Sequence, residues 1–358
     1  MKTHVVIIGA GPAGLAAAVS LTKRGISCAL LERGGTAAAG LRRVDPAMKL
    51  FSPARLSRLP GMRLYVGKPA YPTFGQFLDA LDAYRTEHAI EVITGAEVTR
   101  AERTSEGFLV QARVGAEARS LAASHVINAT GIVSTPKLPP DFDPAASRLS
   151  WIHSVDVRAD RISTAERMLV VGGGASAAEV LGIWLRTHRP DGRASISLRS
   201  PLRAIPSRIL GLDVHYLSWL PEHLPARPIG PWVAPKDGMF GFAVPRAIRA
   251  GEIERVPAVA RYDADAVQLS ADKAGGPAQS LKPDLLVFAT GFVHRTEHLG
   301  DLVERDRDGW PRARRCESTR TPRLYLLGTR FVRTLASPYL RGIGRDAAFV
   351  ARRIARDQ

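Results

Sequence analysis

Two glycine-rich turns are the parts of this sequence best suited to chemistry. In the first, Gly9, Gly11 and Gly14 follow the apolar run HVVII and open an alanine-rich stretch, with the G-x-G-x-x-G spacing of dinucleotide-binding turns. The first glycine of such a turn permits a tight bend, the second lets the backbone approach a pyrophosphate, and the third lets helix and strand pack closely. The first turn therefore predicts a helix N-terminus that binds phosphates.

A carboxylate follows this turn at the end of the next apolar segment. Glu32 stands where it would accept hydrogen bonds from the ribose hydroxyls of an adenosine. Because a carboxylate repels a 2′-phosphate, the first site is predicted to prefer FAD or NAD to NADPH. The neighbouring residues Pro12, Ala13 and Arg33 are included in this predicted cofactor site.

The second turn repeats the spacing but changes the charge. Ala177 takes the third position, which tolerates Gly or Ala, and Arg199 and Ser200 follow the next strand in place of an acid. A guanidinium can clamp a 2′-phosphate with two hydrogen bonds, so this site is predicted to prefer NADPH; an unrelated surface arginine is the alternative. The predicted residues of this second site are Gly172, Gly174, Ala175, Ser176, Ala177, Arg199 and Ser200.

Each turn lies inside a complete strand, turn, helix and strand pattern. Apolar periodicity predicts a strand at 4–8, a helix at 12–24 capped by Gly25, and a strand at 27–31. The pattern returns as a strand at 168–171, a helix that runs to about 186, and a strand at 194–198. The fold class is therefore predicted to be α/β, with two Rossmann-like dinucleotide-binding domains.

The rest of the chain indicates how these domains are arranged in sequence. Further elements are predicted as a helix at 74–84, short strands within 91–112, strands at 126–131, 285–291 and 324–327, and a final helix that begins near Arg345. A proline-rich stretch at 132–146 marks a boundary. An FAD domain is predicted at 1–145 and 285–358. The NADPH domain, inserted at 146–284, carries a Pro- and Trp-rich excursion at about 201–250 that would cover a cleft.

Composition restricts the function classes. The chain has 358 residues, 45% hydrophobic and 23% charged, which suits two packed units. Its two cysteines, Cys28 and Cys316, cannot build a disulfide framework or a Cys-rich zinc site. No apolar run approaches the roughly 18 residues of a membrane span, and the N-terminal run is interrupted too early for a signal peptide, so a cytoplasmic protein is expected. The net charge of +16 comes from scattered arginines and does not favour nucleic-acid binding.

Taken together, these segments resemble the flavin-containing monooxygenases, the class B group that includes Baeyer–Villiger enzymes and plant indole-pyruvate monooxygenases. The resemblance covers nearly the whole chain. It rests on both glycine turns and on two Ala-Thr-Gly segments, 129–131 and 289–291, which we call the first and second ATG phrases. It also rests on the segments MKLFSPARLSRLPGM, YPTFGQFLDAL, WIHS, LYLLGT and SPYLRGIGRDAAFVARRI.

The resemblance implies which residues hold each cofactor. The residues that it assigns to FAD are Gly9, Gly11, Gly14, Glu32, Arg43, Leu50, Val98, Ala129, Thr130, Gly131, Gly328 and Leu340, together with the start of the final helix. Those that it assigns to NADPH are Gly172, Gly174, Ser176, Arg199, Ala289, Thr290 and Gly291. The N-terminus of the final helix would stabilise negative charge on the flavin.

Three positions depart from the family pattern or invite a catalytic role. Arg42 stands where many relatives have a Trp before the flavin, and Ser52 replaces the Asn that several members carry beside the reactive flavin carbon. Ser52 is therefore the candidate catalytic residue, with a plain loop role as the alternative. His153 is either an acid or base, or a structural histidine between domains. The sequence shows neither metal-ligand spacing nor a Gly-x-Ser-x-Gly elbow.

The resulting hypothesis is an FAD-containing, NADPH-dependent monooxygenase. Dioxygen would add to reduced FAD as a C4a-peroxyflavin, and one oxygen atom would pass to a small organic substrate by N-oxygenation, S-oxygenation or Baeyer–Villiger insertion. The alternatives are a reductase of the thioredoxin-reductase-like group without a CxxC motif, acting on a quinone or disulfide, a nucleotide-binding sensor without turnover, and a basic nucleic-acid binder. The substrate and the oligomeric state stay open.

Overall fold

The computed structural model describes residues 2–65, 71–133, 135–218, 222–225, 238–271, 279–307 and 309–357. The chain divides into two compact units. The first contains Met1–Thr135, Leu217–Ala234 and Val293–Gln358, and the second contains Pro136–Tyr216 and Pro235–Phe292.

In chain order, the strands are β1 Lys2–Ile8, β2 Cys28–Leu31, β3 Ala96–Arg103, β4 Phe108–Val114, β5 Glu117–Asn128, β6 Thr135–Pro136, β7 Trp151–His153, β8 Arg167–Val171, β9 Arg193–Ser197, β10 Ala204–Ile205, β11 Arg208–Ile209, β12 Leu212–Asp213, β13 Met239–Phe240, β14 Ile253–Val256, β15 Val259–Tyr262, β16 Val267–Leu269, β17 Ser280–Leu281, β18 Leu285–Phe288, β19 Phe292–Val293, β20 Ala313–Arg314, β21 Glu317–Ser318 and β22 Leu324–Leu326. The α-helices are α1 Pro12–Thr22, α2 Phe74–Glu87, α3 Ala159–Thr164, α4 Ala175–Thr187, α5 Val214–Leu217, α6 Ala243–Ala250 and α7 Leu340–Ile354. Short 3-10 segments are Leu41–Arg43, Ala54–Leu56, Ser154–Asp156 and Glu297–Leu302.

The first unit is built on an eight-stranded mixed sheet. Strands β2, β1, β5 and β22 lie side by side and run parallel, β21 and β20 extend the sheet antiparallel, and the β3–β4 hairpin pairs with β5. The inner strands are apolar without alternation because both faces are covered: Val5, Val6 and Ile7 are fully buried. Helix α1 packs against α7, and its Ala-rich sequence lets it be buried on all sides.

The second unit is built on a five-stranded parallel sheet with the order β14, β9, β8, β18, β7. Strands β15, β16 and β17 form a small antiparallel sheet of their own. Four aromatic side chains, Phe142, Trp151, Tyr262 and Phe288, pack together with ring centroids 4.6–6.0 Å apart. This cluster and the apolar strands form the core of the unit.

The fold class predicted from the sequence is confirmed, since each unit contains a β-α-β pattern on a parallel sheet. The starts of two elements were wrong. Strand β5 begins at Glu117 rather than 126 because its exposed first half also pairs with β4. Helix α7 begins at Leu340 rather than near Arg345, because Gly342 and Gly344 are part of the helix and do not delay its start. Both glycines lie where neighbouring chain leaves no room for a Cβ atom.

The boundaries between units also differ from the predicted domain limits. The chain leaves the first unit after Thr135 rather than 145, and Leu285–Phe288 belongs to the second unit because it pairs with β8 and β7. Short elements β6, β19 and α5 contain points where the chain passes between units. Within the predicted excursion at 201–250, residues 219–221 and 226–237 lie outside the described part. The described part forms short strands and helices α5 and α6.

Among the described residues, no helix is long and apolar enough to cross a membrane.

The packing of α7 gives a first testable prediction. A Cβ atom on Gly342 would lie 2.1 Å from the carbonyl oxygen of Ala336, whereas a Cβ atom on Gly40 would meet nothing within 4 Å. Gly40 also has helical dihedral angles that alanine adopts easily. We expect Gly342→Ala to lower the free energy of unfolding by about 1–3 kcal/mol. Gly40→Ala is the control and should leave it unchanged or raise it by about 0.4–1 kcal/mol. Urea unfolding followed by circular dichroism measures both; equal stability of the two variants would contradict the packing.

Candidate dinucleotide-binding sites

The first glycine turn has the geometry that a dinucleotide requires. Gly9 has φ +98°, and a Cβ atom there would lie 2.8 Å from the carbonyl oxygen of Ala129. A Cβ atom on Gly14 would lie 1.9 Å from the carbonyl oxygen of Gly9. By contrast, the space in front of Gly11 is open for 4 Å. Two glycines therefore close the turn, and the third leaves room for a ligand against the backbone.

The start of helix α1 points the same way. Gly11 is the N-cap and has no side chain to accept from the first turn, while Pro12 has no N–H to satisfy. The N–H groups of Ala13 and Gly14 have no acceptor within the helix, as in every first helical turn. This end of the helix therefore offers donors and the positive end of its dipole to a phosphate.

Glu32 is held in place by the turn itself. Its Oε2 atom accepts a hydrogen bond from the Ala10 N–H and its Oε1 atom accepts one from the Gly34 N–H, each at 2.9 Å. Each carboxylate oxygen keeps a second lone pair, which is what two ribose hydroxyls require. The side chain is half-buried, so it is both fixed and reachable. These residues fit the adenosine half of a dinucleotide.

The structure brings some of the other predicted FAD residues to this turn. Ala129 packs under Gly9, and Gly328, with φ +68°, lies so close to α1 that its Cβ atom would be 3.0 Å from that of Ala13. The hydroxyl of Thr130 accepts a hydrogen bond from Asn128 at 3.2 Å. Of the remaining predicted residues, Arg33 and Arg43 are exposed, Gly131 has φ +73°, and Leu50, Val98 and Leu340 pack on the core of the first unit.

The second turn reproduces the first in its own unit. Gly172 has φ +124°, and a Cβ atom there would lie 2.2 Å from the carbonyl oxygen of Ala289. Gly174 is the N-cap of α4, and the space beside it is open for 4 Å. Ala177 is fully buried, so a methyl group is accommodated at the third position. Ala175 and Ser176 form the half-buried first turn of α4.

Arg199 and Ser200 are exposed just beyond the end of β9. Burial raises the pKa of Tyr262, and the positive charge of Arg199 opposes that rise, so the guanidinium lies within electrostatic range of this ring. Arg199 is therefore positioned at the edge where parallel strands of the second unit end, with its side chain accessible to a ligand.

His153 forms a hydrogen bond with the second ATG phrase. Its Nε2–H donates to the carbonyl oxygen of Gly291 at 2.9 Å, and its Nδ1 accepts from the Val155 N–H at 3.3 Å. Both ring nitrogens therefore engage backbone, and the imidazole is the neutral tautomer. In the same phrase the Thr290 hydroxyl donates to the carbonyl of Lys137. These contacts all lie within the second unit, so they favour a structural role for His153 inside that unit rather than between domains.

Ser52 has little to offer as a hydrogen-bond donor. Ser57 donates its only hydroxyl hydrogen to the carbonyl oxygen of Ser52 at 2.8 Å, and the two hydroxyl oxygens are 2.7 Å apart. Ser52 is therefore the donor in that second contact. Its hydroxyl keeps acceptor lone pairs only, so the geometry favours the loop role over the catalytic one.

Arg42, which stands where relatives have a Trp, links the loop after the first turn to helix α2. Its Nη2 atom lies 2.7 Å from both carboxylate oxygens of Asp82 on α2, and its Nε donates to the carbonyl of Ala37 at 3.0 Å. The substitution thus joins the loop after the first turn to α2.

Two histidines near the first ATG phrase were missed by the sequence analysis. His294 Nδ1–H donates to the carbonyl oxygen of Gly131 at 2.8 Å, and His298 Nε2–H donates to Asn128 Oδ1 at 2.9 Å. Burial lowers the pKa of His294 and lowers that of His298 to about 4, so both rings are neutral at pH 7. The sequence gives no spacing signal for them because their partners lie more than 160 positions away.

Comparison with known proteins agrees with this geometry. The model of the pyridine nucleotide-disulphide oxidoreductase family matches residues 6–188. Indole-3-pyruvate monooxygenase YUCCA4 of Oryza sativa subsp. japonica is 28% identical, over 86% of this chain and 78% of its own. An uncharacterized CzcO-like oxidoreductase of Geobacillus kaustophilus is 25% identical, over 97% and 96% of the two chains.

Solved structures share the fold at lower identity. A flavin monooxygenase from Stenotrophomonas maltophilia has a TM-score of 0.77 at 24% identity and covers 99% of both chains. An ornithine N-hydroxylase from Kutzneria sp. 744, with reduced FAD, NADP+ and L-ornithine, has a TM-score of 0.77 at 21% identity, and a bacillithiol disulfide reductase from Bacillus cereus has 0.77 at 18%; each covers 100% of both chains.

The family model covers more than half of the chain and includes both glycine turns. The protein is therefore an oxidoreductase that belongs to the pyridine nucleotide-disulphide oxidoreductase family, among its flavin-containing monooxygenase-like members.

Proposed function

We propose that this protein is an FAD-containing, NADPH-dependent monooxygenase that oxygenates a small organic substrate. The observation that carries the proposal is the repeated turn with opposite charge. The first turn holds a carboxylate in place for ribose hydroxyls, and the second has an accessible guanidinium beyond the corresponding strand. The ornithine N-hydroxylase of the same fold holds FAD and NADP+ together, which supports this pair of cofactors.

Each part of the chain has a separate task in this proposal. Bound FAD would accept a hydride from NADPH and activate dioxygen. The N-terminus of α1 would bind the FAD pyrophosphate, and Glu32 would accept from its ribose. The N-terminus of α7 at Leu340 would stabilise negative charge on the flavin ring. In the second unit, the start of α4 would bind the NADPH pyrophosphate and Arg199 its 2′-phosphate.

The type of oxygenation depends on how the reacting oxygen is protonated. Attack on an amine or sulfide needs a protonated oxygen, whereas insertion beside a ketone needs the anion. The relatives are named for a 2-oxo acid, indole-3-pyruvate, and for an amine, ornithine, so their names do not select one type of oxygenation for this chain. Because Ser52 directs its hydroxyl hydrogen to Ser57, backbone groups or the bound cofactor would stabilise the oxygenating species. We therefore propose the reaction class and leave the substrate to a screen of amines, sulfides and ketones.

The decisive experiment measures NADPH and dioxygen consumption together in the flavin-loaded protein. We expect a yellow protein that NADPH bleaches, consumption of both reagents in parallel, and one labelled atom in the product when 18O2 is supplied. NADPH oxidation that is unchanged by removal of oxygen, with an electron acceptor present, would contradict the proposal. A colourless protein that FAD cannot reconstitute would favour a sensor.

Arg199 gives a test of the proposed coenzyme preference. Hydrogen bonds to a charged group contribute about 1.5–3 kcal/mol, so Arg199→Ala should raise the KM for NADPH by roughly 10- to 100-fold. The KM for NADH should change by less than about twofold, since NADH lacks the 2′-phosphate. Arg193, an exposed arginine at the opposite end of β9, is the matched control. Equal losses for both coenzymes would refute the phosphate clamp.

A disulfide reductase is the second candidate, because the bacillithiol disulfide reductase has the same fold. Such chemistry with protein thiols needs an accessible thiolate. Burial raises the pKa of Cys28 to about 11, and it raises that of the fully buried Cys316 well above its usual range. Both thiols are therefore protonated near neutral pH.

This gives a prediction that tests the second candidate in the form that uses protein thiols. Because burial raises the pKa of Cys28 to about 11, this thiol is mostly protonated at pH 8, and iodoacetamide should alkylate the folded protein very slowly. In guanidinium chloride both cysteines should react at the rate of free cysteine. Mass spectrometry of timed samples provides the measurement. Rapid alkylation of either thiol in the folded protein would instead favour a thiol-dependent reductase.

A further inference from the structure

A cleft of about 490 Å³ lies in the first unit, away from both glycine turns in sequence. It is formed by the segment 55–65 and by the first two turns of α7. Five arginines and no acidic residue contribute to its lining: Arg55, Arg58, Arg63, Arg341 and Arg345. So many positive charges on one concave surface repel each other, and an anion bound among them relieves that repulsion.

The arginines differ in how far their charge is already compensated. Arg341 forms a two-point ion pair with Glu222, at 2.5 and 2.7 Å, and both side chains are only 8% exposed. Arg63 lies 3.8 Å from Glu87 on the surface. Arg55 and Arg58 are exposed and have neither a hydrogen bond nor an ion pair with any residue that the structure describes. These two guanidinium groups carry most of the uncompensated charge.

The backbone at the cleft adds to the positive potential. Tyr339 is the N-cap of α7 and makes no side-chain hydrogen bond to the first turn. Leu340 and Arg341 therefore present helical N–H groups at the positive end of a 15-residue helix. The proposed function assigns this helix end to the flavin, so the uncompensated guanidinium groups of Arg55 and Arg58 are the groups of the cleft that would bind another anion.

The rest of the lining is apolar. Leu59, Pro60 and Met62 contribute to it, and the ring of Tyr65 is 84% exposed. A large exposed aromatic ring beside guanidinium groups favours a ligand that has an apolar body as well as a charge. The volume lies within the range of sites for small organic molecules.

We propose that this cleft binds a small organic anion, with a carboxylate or phosphate on Arg55 and Arg58 and an apolar body against Tyr65. The site is formed by first-unit residues alone and does not depend on the monooxygenase activity. Binding, rather than turnover, tests it, so its failure and that of the proposed function are distinguishable.

The test uses four probes that differ in charge and body. Phenylacetate and phenyl phosphate carry the two anionic groups, benzyl alcohol is the neutral analogue, and inorganic phosphate lacks the apolar body. Isothermal titration of the flavin-loaded protein should show that at least one aromatic anion binds about tenfold or more tightly than benzyl alcohol and than inorganic phosphate. Its affinity should fall between 50 and 200 mM salt. Equal binding of the neutral analogue, or no binding of either aromatic anion, would overturn the proposal.

Matched variants locate the site. Arg55→Gln with Arg58→Gln should weaken binding of the anion by about tenfold or more, with each single variant in between. Arg352→Gln with Arg356→Gln removes the same charge from the exposed end of α7 and the turn that follows it, and should change the affinity by less than about twofold. Equal weakening in both pairs would show general charge attraction only. Loss of flavin absorbance in the first pair would show that these arginines serve the flavin. Either result would refute a separate anion site.

Discussion

In both units, the carbonyl oxygen of an alanine just after a strand lies against the first glycine of the glycine-rich turn, Ala129 against Gly9 and Ala289 against Gly172. The position of each dinucleotide-binding turn depends on this contact. In each unit the hydrogen bonding between neighbouring strands continues one residue past the strand end. The Ala129 N–H donates to the carbonyl oxygen of Ile8 at 2.8 Å, and the Ala289 N–H donates to that of Val171 at 2.9 Å. The carbonyl of each alanine then occupies the position that a side chain on the first glycine of the turn would need. Because only glycine fits there, the chain turns sharply and the following helix starts at the carboxyl edge of the sheet.

The two turns share a backbone but differ in how their charged residue is held. Glu32 is fixed by two backbone N–H groups before any ligand arrives, whereas Arg199 is exposed beyond its strand. A preorganised group loses little conformational entropy on binding, while an exposed arginine must be ordered by its ligand. This difference fits a first cofactor that stays bound and a second that exchanges during turnover.

The sequence predicted what local pattern encodes and missed what distant contacts determine. Buried strands and glycine turns are visible as apolar runs with fixed spacing, so β1, α1 and β8 lie within a few residues of prediction. The start of α7 was misplaced because a glycine normally weakens a helix. Here Gly342 is required by the carbonyl of Ala336, and no pattern near position 342 indicates that contact. The sequence likewise could not predict that the Ser52 hydroxyl is hydrogen-bonded to Ser57, since this contact depends on how the two side chains are oriented.

The buried ion pair between Arg341 and Glu222 compensates an arginine at the start of helix α7. A guanidinium in the first turn of a helix faces the positive end of the dipole, which is unfavourable unless a carboxylate lies beside it. Glu222 provides that carboxylate, and its backbone carbonyl also accepts from Ala336 at 2.8 Å. A buried pair of this kind contributes little net stability, but losing either partner leaves a buried charge. Its effect is therefore to fix which segment lies against the start of α7, where Arg55 and Arg58 keep their charge uncompensated among the described residues.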